Sequence, residues 1–578
     1  MLTSIISSLI SETIASLYSI DFTPDISPAP KLELGEYCVN IFWLVKQVGK
    51  APNIISEEVA TELAKYTEVF LSTSATGGYV NFFLTDEKWI DIFQEHAHGK
   101  IHPKNWKKAI MEIFSLNVGK PLHIGHLCPT STGQAIVNVH RYLGWDVIID
   151  NHMWDWWSLF GKLIVGYEKY GNEQKLEADG VDHLMEVYVQ ITSDIEKDIS
   201  VDQECKDAFK KLSQWNIELM NLWGKFTKAS LEKADTVIAK LHVYSDVAIG
   251  ESYYEGLPLP KIGEYPKLEY TMDDIVSELL EKWIATKNED GSVGIVFLED
   301  TKLPSTILEK RDGTHGYLAS DMACMKYRMT NGWNPDKISI GTDIRQALHF
   351  KQVFTTARLA GWIDDDIELI HVWNGFISLP DGAMSSRKWN IIRLEDLLEE
   401  WYERTKKILE EKGRTGETSL KEKDIREIAV WAIKYSYLMQ DRERNITFDW
   451  DKALNFEGHS GPYIQYAYVR ARKILTNQEI QTQTRPEHLS SYDKSLIGLL
   501  ARFDQAVAMT AKTYKPHHIA LYAYDLAVGF NSFYVHTPKI LEENDTDMRA
   551  FRLSLVQKTT EILEKSFDLL AIKMPSEM

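Results

Sequence analysis

The order of elements between residues 109 and 150 constrains the fold of this chain more than any other feature. The run AIMEIF (109–114) has the continuous apolar character of a buried strand, STGQAIVNVHRYL (131–143) has helical spacing, and residues 146–150 form a second apolar run. A strand, a loop, a helix and a strand in this order are typical of a parallel α/β unit. Residues 337–341 and 368–372 continue the series. We therefore predict an α/β domain built around a parallel sheet.

Length and pattern divide the chain into three parts. Its 578 residues exceed one compact core, and about 150 residues per domain gives about three or four domains. Residues 1–100 combine helical patterns with a strand-like run, which predicts a small α/β domain. Residues 101–425 hold the strand series and a charged helical insertion near 170–240, and residues 426–578 have helical periodicity, which predicts an all-α domain.

Composition excludes several classes of protein. Lys and Arg number 64 against 84 Asp and Glu, a net charge of −20 that a general nucleic-acid binder does not have. Any nucleic-acid site must therefore gather its basic residues locally. No apolar run approaches the roughly 18 residues that span a bilayer, and the first 20 residues indicate an amphipathic helix rather than a secretion signal. We expect no membrane partner.

The four cysteines, Cys38, Cys128, Cys205 and Cys324, are scattered and form no CxxC pair. This spacing argues against a zinc ribbon and against a disulfide scaffold. It fits a reducing compartment. We expect a cytoplasmic protein without zinc or another metal held by protein ligands.

The segment NVGKPLHIGH (117–126) is the sharpest local feature, because it follows the first buried strand and precedes a helix. A helix N-terminus offers unpaired N–H groups and a positive dipole end to phosphate. Gly125 permits close approach of a nucleotide, and His123 and His126 could hydrogen-bond a phosphoryl group as its charge develops. Two histidines in an ordinary loop are the alternative. The chain has neither GxGxxG nor GxxxxGK[ST].

A second candidate for phosphate binding is the segment GAMSSRK (382–388). Ser385 and Ser386 supply hydroxyls, and Arg387 and Lys388 supply adjacent cations on a loop that begins with glycine. These groups suit a mobile clamp on a triphosphate. An exposed basic turn is the alternative.

Together the two segments resemble the HIGH and KMSKS signatures of class I aminoacyl-tRNA synthetases, and their surroundings resemble the arginyl-tRNA synthetase family. The matching segments include EIFSLNVGKPLHIGH (112–126), NHMWDW (151–156), RDGT (311–314) with YLASD (317–321), and QALHF (346–350). In the helical part it includes FDW (448–450) and EGHSGPYIQYAYVR (457–470). The resemblance runs from about residue 35 to the end of the chain. It implies a Rossmann-like catalytic domain, an N-terminal additional domain that contacts the tRNA corner and a C-terminal anticodon-binding bundle.

The resemblance also implies roles for particular residues. The arginine side chain is bound by Glu112, Tyr317, Asp321 and Gln346, and its α-amino and carboxylate end by Ser115 and Asn117. His123 and His126 stabilise the α-phosphate, and Gly125, His371, Met384, Ser385 and Ser386 lie beside ATP. A planar cationic guanidinium suits carboxylates that accept two parallel hydrogen bonds.

The implied reaction has two steps. Arginine attacks ATP to give arginyl-adenylate and pyrophosphate, with Mg²⁺ on the phosphates, and the terminal ribose of tRNA(Arg) then takes the arginyl group. The implied partners are thus L-arginine, ATP and tRNA(Arg), and in this family tRNA usually binds before arginine is activated. The residues implied to contact tRNA are Tyr463, Arg470 and Arg472, where basic and aromatic side chains alternate. No long heptad seam is visible, so we expect a monomer.

The chain departs from the family pattern in the second segment. Ala383 replaces the first lysine of the KMSKS-type loop, and Arg387 replaces the second. Lys120, just upstream of His123, is our candidate to supply the missing positive charge. Ser320 and Cys128 stand where the family commonly has arginine.

Six tryptophans stand where the family pattern has glycine: Trp154, Trp157, Trp215, Trp283, Trp373 and Trp389. A glycine with positive φ cannot be replaced by so large a side chain without strain. We hypothesise that the source reads UGA as glycine and that the native protein has glycine at these positions. UGG codons there would contradict the hypothesis. The alternative is that they are true tryptophans, which put bulk beside the active site.

Two other functions remain open alongside an active arginine–tRNA ligase. A catalytically impaired paralogue that binds tRNA or arginine without charging would explain Ala383 and the tryptophans, but not the intact His123 and His126 pair with Glu112 and Asp321. A smaller nucleotidyltransferase with a HIGH-type loop, such as a cytidylyltransferase, does not account for an all-α region of about one further domain.

Overall fold

The structure, a computed structural model, describes residues 2–29, 34–97, 102–257, 267–378, 393–411, 421–447, 449, 458–481 and 484–574. Within these ranges no helix combines the length and the apolar character that crossing a membrane requires. The strands are β1 (Ile26–Pro28), β2 (Tyr37–Asn40), β3 (Phe70–Thr76), β4 (Tyr79–Leu84), β5 (Lys108–Glu112), β6 (Asp146–Met153), β7 (Val247–Gly250), β8 (Thr286–Lys287), β9 (Val293–Ile295), β10 (Thr306–Glu309), β11 (Lys337–Asp343), β12 (Glu368–Asn374), β13 (Ile377–Ser378) and β14 (Ile446–Thr447).

The first helices along the chain are α1 (Leu2–Tyr18), α2 (Val45–Val48), α3 (Pro52–Leu63), α4 (Asp86–Ala97), α5 (Ile124–Tyr142), α6 (Leu159–Tyr170), α7 (Glu173–Asp179), α8 (Val181–Lys197), α9 (Ser200–Ser213), α10 (Ile217–Lys240) and α11 (Glu251–Tyr254). They are followed by α12 (Met272–Glu281), α13 (Tyr317–Thr330), α14 (Ala347–Leu359), α15 (Leu394–Glu411), α16 (Glu422–Leu438), α17 (Gly461–Leu475), α18 (Ser491–Leu500), α19 (Phe503–Thr513), α20 (His517–His536) and α21 (Thr546–Leu569). Short 3₁₀ turns span Phe42–Leu44, Glu299–Thr301, Ile344–Gln346 and Ile540–Glu542.

The chain forms two compact units. One comprises residues 102–463, 507–521 and 566–578, and the other comprises residues 1–101, 464–506 and 522–565. The boundaries that the sequence predicts, 1–100, 101–425 and 426–578, stay a prediction.

A five-stranded parallel sheet forms the centre of the larger unit, with strand order β12-β11-β5-β6-β7. Its three inner strands, β11, β5 and β6, are mostly buried and rich in Ile, as expected where helices cover both faces of a parallel sheet, whereas the edge strand β12 is only partly buried. The predicted α/β class and parallel sheet are confirmed. The helix after β5 begins at Ile124, seven residues before the predicted start, so the histidine segment belongs to its first turn.

The predicted helical insertion near residues 170–240 is present as α7, α8, α9 and α10. Three features of the larger unit are absent from the sequence prediction. They are the short edge strand β7, a three-stranded antiparallel sheet of order β10-β9-β8 and a two-stranded parallel pair of β13 and β14. Their strands have two to four residues, which is too short for a clear period-two pattern.

The smaller unit contains a four-stranded antiparallel sheet of order β1-β2-β4-β3, together with helical segments from the C-terminal part of the chain. Its interior holds an ion pair between Arg552 and Asp493, whose side chains are 6% and 0% exposed. Two hydrogen bonds of 3.1 and 3.2 Å join the guanidinium to both oxygens of Asp493, which satisfies these buried charges. The predicted helical character of the C-terminal part is confirmed in the described residues, apart from the short strand β14.

Two of the six tryptophans that the hypothesis concerns occupy positions that favour glycine. Trp215 follows α9 with φ +65° and Trp283 follows α12 with φ +59°. At each helix end, the backbone N–H of the tryptophan and that of the next residue donate to carbonyls of the last helical turn. The Trp283 N–H donates to the Leu280 carbonyl and the Ile284 N–H to the Leu279 carbonyl, both at 3.0 Å. This is the Schellman motif, whose left-handed residue is usually glycine. Trp106, which the sequence analysis did not single out, also has a positive φ, +62°.

The glycine hypothesis stays a prediction for all six positions. Positive φ supports it at Trp215 and Trp283 only, because Trp154, Trp157 and Trp373 have ordinary φ values and Trp389 lies outside the described residues.

We predict that Trp283→Gly stabilises the protein by about 1 kcal/mol, because glycine carries no left-handed strain. The indole is 89% exposed, so its removal costs little buried area. Trp283→Ala is the matched control: it also removes the indole but keeps the strain, and it should gain less. Thermal denaturation of the three proteins measures the effect. A lower melting temperature for the glycine variant than for the alanine variant would contradict the prediction.

Candidate functional site

The order of the strands places a crevice at the centre of the parallel sheet. From β5 the chain proceeds outward through β6 and β7 on one side, and it returns to β11 and β12 on the other. Ligands of such sheets bind outside the carboxyl ends of the strands where this order reverses. Glu112 ends β5 and Asp343 ends β11, and residues 113–123 lead from β5 directly into α5. The predicted nucleotide segment and one predicted arginine-binding acid therefore belong to the same edge of the sheet.

His123 and His126 close the N-terminus of α5 with a reciprocal cap. The Gly125 N–H donates to His123 Nδ1 at 3.1 Å, and the His123 N–H donates to His126 Nδ1 at 3.0 Å. The two ring centroids are 4.1 Å apart. Both imidazoles are thereby fixed at the helix end, where free N–H groups and the dipole attract phosphate.

The two histidines are neutral hydrogen-bond donors. Burial lowers the pKa of His123 to about 4, with Lys120 and Arg345 acting in the same direction, and it lowers the pKa of His126 to about 3. Nδ1 of His123 accepts a backbone N–H, and Nδ1 of His126 lies 3.0 Å from the His123 N–H and 3.2 Å from the His123 carbonyl. Because the N–H contact is the shorter one, we assign the remaining proton of each ring to Nε2. Two Nε2–H groups can thus stabilise charge that develops on a phosphoryl group.

Gly125 has to be glycine for this cap to form. A Cβ at residue 125 would lie 2.7 Å from His123 Cε1 and 2.9 Å from its Nδ1, so alanine displaces the ring. We predict that Gly125→Ala lowers kcat for adenylate formation about 10- to 100-fold, because the displaced donor no longer meets the phosphate. Gly224→Ala is the control, since a Cβ there meets nothing within 4 Å. Equal kcat values for the two variants would contradict the prediction.

Lys120 and His371 lie against aromatic or polar neighbours. Lys120 Nζ is 5.0 Å from the ring centroid of Trp157 and 5.3 Å from that of Tyr188, and burial lowers its pKa. Burial likewise lowers the pKa of His371, on β12, to about 4, and its Nε2 is 2.7 Å from Thr342 Oγ1. Their roles beside ATP stay predictions. The predicted clamp residues Met384, Ser385, Ser386 and Arg387, like Ala383, lie outside the described residues.

Asp321 lies one turn into α13 and is held by histidines. Nε2 of His349 donates to its Oδ2 at 2.5 Å, and Nε2 of His152 is 3.8 Å from its Oδ1. Burial favours the neutral acid, but the charge and the hydrogen bond of His349 outweigh it, so the pKa of Asp321 is below its ordinary value. Burial opposes protonation of His349 too, yet Asp321 raises the pKa of that ring. Asp321 is therefore ionised at neutral pH.

Glu112 is almost completely buried, and both of its oxygens have partners within the protein. Its Oε2 accepts a 2.9 Å bond from Arg328 Nη2, and its Oε1 accepts a 2.8 Å bond from Ser115 Oγ. Burial raises the pKa of Glu112 to about 7; Arg328 opposes this shift and Asp321 adds to it. The charge of Asp321 thus acts on Glu112, and the predicted joint binding of a guanidinium by these two acids stays a prediction. A direct contact between Glu112 and a substrate guanidinium stays a prediction.

A buried acid that the sequence analysis did not single out, Glu251, begins α11. Its Oε1 accepts a 2.8 Å bond from Ser320 Oγ, whereas its Oε2 is buried without a well-formed hydrogen bond among the described residues. Burial raises its pKa well above the ordinary value, and Asp321 raises it further. Glu251, Ser320 and Tyr317 line a pocket of about 460 Å³. We call Glu112, Asp150, Glu251 and Asp321 the carboxylate cluster.

The other predicted arginine-binding residues surround this edge of the sheet. Tyr317 begins α13, is 56% exposed and packs beside Trp154, with ring centroids 6.1 Å apart. Asn117 pairs with Trp154 through a backbone bridge, and Gln346 ends the 3₁₀ turn after β11. Polar residues at the carboxyl end of β6, including Asp150, were the signal that would have extended the predicted set.

The residues predicted to contact tRNA lie on α17. Arg470 Nη1 donates to Asn531 Oδ1 at 2.8 Å, and its guanidinium carbon lies 4.7 Å and 5.2 Å from the ring centroids of Tyr466 and Tyr534, which are 36% and 44% exposed. Arg472 lies 5.9 Å from the centroid of Tyr468. The exposed Tyr466, Tyr534 and Arg472 and the partly exposed Arg470 can contact phosphates or stack on bases, whereas Tyr468 is 3% exposed and belongs to the core. Tyr463 lies on the first turn of the helix, and the tRNA contacts of all three residues stay predictions.

Comparison with known proteins agrees with this geometry. Models of three domains match: "Arginyl tRNA synthetase N terminal domain" at residues 4–84, "tRNA synthetases class I (R), catalytic domain" at 90–450 and "DALR anticodon binding domain" at 464–578. The arginine–tRNA ligase of Fusobacterium nucleatum is 33% identical over 570 residues, 96% of this chain and 95% of the relative. That of Clostridium kluyveri is 34% identical over 571 residues, 96% of each chain.

Solved structures show the same fold. Arginyl-tRNA synthetase from Thermus thermophilus superposes with a TM-score of 0.79 at 24% identity and covers 100% of both chains. The enzyme from Plasmodium falciparum gives a TM-score of 0.78 at 22% identity and covers 100% of this chain and 99% of its own. The histidine-capped helix, the acids behind it and the near-complete match to these relatives lead to one conclusion: the chain belongs to the arginyl-tRNA synthetase family.

Proposed function

We infer that the chain is an arginine–tRNA ligase, which attaches L-arginine to tRNA(Arg) through an arginyl-adenylate at the expense of ATP. The observation that carries the inference is that the buried acids of the carboxylate cluster, beside the histidine-capped helix, outnumber their cationic partners. Arg328 and His349 are the cations that contact the cluster within the described residues. Buried carboxylates need cationic partners, and a substrate guanidinium supplies one.

The pocket supports arginine as the amino acid. Asp321 is ionised, and within the described residues one buried oxygen of Glu251 lacks a well-formed hydrogen bond, next to the pocket wall formed by Tyr317 and Ser320. Because a serine stands at position 320, Glu251 has a hydroxyl partner there and no cation. A guanidinium presents donors in a planar fork that two carboxylates can share. Lysine or a neutral side chain would leave part of this cluster unpaired.

The capped helix supports activation by ATP. The arginine carboxylate attacks the α-phosphorus, a new C–O–P linkage forms, and pyrophosphate leaves. Charge that develops on the α-phosphate oxygens is stabilised by the Nε2–H groups of His123 and His126 and by the N-terminus of α5. The protein performs no covalent chemistry in this step, so its contribution is position and charge. Mg²⁺ enters with ATP as part of the substrate.

The second step transfers the arginyl group. The terminal ribose hydroxyl of tRNA(Arg) attacks the carbonyl carbon of the adenylate, and AMP leaves. Arg470 and Arg472, with the tyrosines around them, are our candidates for contacts with the anticodon end. We propose a monomer that acts in the cytoplasm without zinc; the four cysteines are buried and form no disulfide bond in the described part of the chain, which agrees with a reducing compartment.

The decisive experiment for the function is charging by the purified full chain. With ATP, Mg²⁺, tRNA(Arg) and L-arginine, we expect arginyl-tRNA and tRNA-dependent exchange of pyrophosphate into ATP. An impaired paralogue would bind tRNA or arginine but would give neither product nor exchange. Both assays should be repeated with glycine at the six tryptophan positions, so that bulk beside the site is not mistaken for loss of function.

We predict that KM for arginine falls about tenfold between pH 6 and pH 8. Glu112, whose pKa is about 7, loses its proton in this range. The negative charge that Glu112 gains favours binding of a cation, so KM for arginine falls as the pH rises. KM for ATP serves as the internal control, because the pKa values of His123 and His126 lie at about 4 and 3. A KM for arginine that rises with pH would contradict the prediction.

A further inference from the structure

The helix that carries Asp321 also carries a buried arginine. Arg328 lies seven residues after Asp321, two turns along α13, so both side chains leave the same face of the helix. The Arg328 side chain is 1% exposed. An arginine is rarely buried to this extent without full pairing, so its partners indicate what it does.

Arg328 joins α13 to the carboxyl end of β5 and to the neighbouring strand β6, three residues before that strand ends. Its Nε donates to Asp150 Oδ2 at 2.7 Å, and its Nη2 donates both to Glu112 Oε2 at 2.9 Å and to the carbonyl of Asp150 at 3.1 Å. Glu112 ends β5, and Asp150 lies in β6. The side chains of Glu112 and Asp150 are 4% and 1% exposed. One guanidinium fork therefore fixes three elements where the crevice opens.

A chain of hydrogen bonds leads from Arg328 through Glu112 to Ser115, towards the predicted substrate site. The second oxygen of Glu112 accepts the hydroxyl of Ser115 at 2.8 Å, and Ser115 is a predicted partner of the arginine α-amino and carboxylate end. The loop that contains Ser115 is held from the other side by Asn151 Oδ1, which accepts the N–H groups of Ile113 and Phe114 at 3.0 and 3.3 Å. With both oxygens engaged inside the protein, Glu112 is suited to orient Ser115.

We propose that Arg328 is a positioning residue of the amino-acid site. It holds the Glu112 carboxylate in one orientation and so keeps Ser115 and Asp321 at the relative positions that arginine binding requires. This proposal rests on the arginine–tRNA ligase function inferred above. It assigns Arg328 no contact with substrate. Its effect passes through Glu112 and through the seating of α13 on the sheet.

The alternative is that Arg328 only stabilises the fold. The pH dependence of KM for arginine distinguishes this structural role from the proposed positioning role. Removal of Arg328 leaves Glu112 buried without its cation, so its pKa must rise further. The acid is then neutral at pH 7 and ionises only at higher pH. A loss of general stability would affect arginine and ATP alike and would not be recovered by a change of pH.

The experiment measures KM for arginine, KM for ATP and kcat from pH 6 to pH 9 for the wild type, Arg328→Met and Arg328→Lys. We expect Arg328→Met to raise KM for arginine about 50-fold at pH 7, with substantial recovery at pH 9 and with KM for ATP within about threefold. Arg328→Lys should recover part of the loss, because lysine restores the charge without the fork. Equal rises in both KM values, or a KM for arginine that does not depend on pH beyond the wild-type trend, would overturn the proposal.

Arg141→Met is the matched control. Arg141 also pairs with an aspartate, Asp246 at 2.7 Å, and donates to the carbonyl of Val147 at 3.0 Å, but these partners lie at the amino ends of β7 and β6. We expect both KM values to stay within about twofold of the wild type. If Arg141→Met raises KM for arginine as much as Arg328→Met, the rise in KM is not specific to the ion pair at the crevice of the sheet, and the proposal is wrong.

A second set of variants tests the proposal if Arg328→Met does not fold. Ser115→Ala leaves the ion pair intact, and we expect it to raise KM for arginine about tenfold. Combined with Arg328→Lys it should add little to the single lysine variant, because both changes act through one chain of hydrogen bonds. Full multiplication of the two effects would overturn the proposal. Charging by the wild type in the same assay keeps a failure here distinct from a failure of the proposed function.

Discussion

Asp321→Asn is expected to lower kcat/KM for arginine about 1,000-fold, while KM for ATP changes little. The variant keeps the shape of the side chain but removes the charge that pairs with the guanidinium. In the protein, Asp321 is 13% exposed and ionised, with His349 at 2.5 Å. A neutral amide would leave both the substrate cation and His349 without a counter-charge in a buried site, and the low local dielectric makes that costly.

The control for this variant is Asp336→Asn. Asp336 accepts the N–H of Lys108 at 2.7 Å and lies at the amino end of the sheet, away from the crevice. We expect its kinetic constants to match those of the wild type. Steady-state charging of tRNA(Arg) over a range of arginine concentrations gives both values. A loss of less than about tenfold for Asp321→Asn would show that the guanidinium is not bound there.

His126→Asn is expected to lower kcat for adenylate formation about 100- to 1,000-fold. The Oδ1 of asparagine can replace Nδ1 as the acceptor of the His123 N–H, so the helix cap is kept. The Nε2–H donor, which we assign to the α-phosphate, is lost. His126→Ala loses both the acceptor of the His123 N–H, which is one half of the reciprocal cap, and the donor.

These two variants separate the chemical role of His126 from its structural role. We expect them to have similar kcat values, but we expect only the alanine variant to have a clearly lower melting temperature, by the loss of a cap worth about 1 kcal/mol. KM for arginine should change by less than about threefold, because the change affects the transition state. If kcat for the asparagine variant stays within tenfold of the wild type, the histidine does not act on the phosphate.

The parallel sheet could be predicted from the sequence because its three inner strands are mostly buried and largely apolar. The segments at 109–114, 146–150, 337–341 and 368–372 became β5, β6, β11 and β12, although β12, at the edge of the sheet, is only partly buried. The sequence predicts the start of α5 at residue 131 instead of Ile124, because residues 124–130 contain Gly125 and Pro129, which interrupt the helical pattern. Those interruptions occur because the segment caps a helix and forms the candidate nucleotide site.

The candidate site was only partly predictable. His123, His126, Glu112 and Asp321 follow from motifs, whereas Arg328 and Glu251 do not. Arg328 pairs with an acid 216 residues away in sequence, and no local pattern signals a pair of that separation. Seven-residue spacing from Asp321 would have been the available signal, since it places two charged side chains on the buried face of one helix.

Some positions that favour glycine can also be predicted from local sequence. Trp215 and Trp283 follow helices and occupy the position where a Schellman motif requires a left-handed residue. Helix ends are local features, so a sequence can indicate them. The fit of Trp154, Trp157 and Trp373 depends on neighbours from distant segments, such as Tyr317 beside Trp154, which only the fold reveals.

The most direct test of the central claim, recognition of a cation by the carboxylate cluster, compares L-arginine with L-citrulline. Citrulline has nearly the same shape, but its urea group is neutral. With the purified chain, tRNA(Arg) and ATP, we predict that kcat/KM for citrulline is lower by about 10,000-fold, because charged groups of the site would be left unpaired. Charging of citrulline within about tenfold of arginine would contradict the claim.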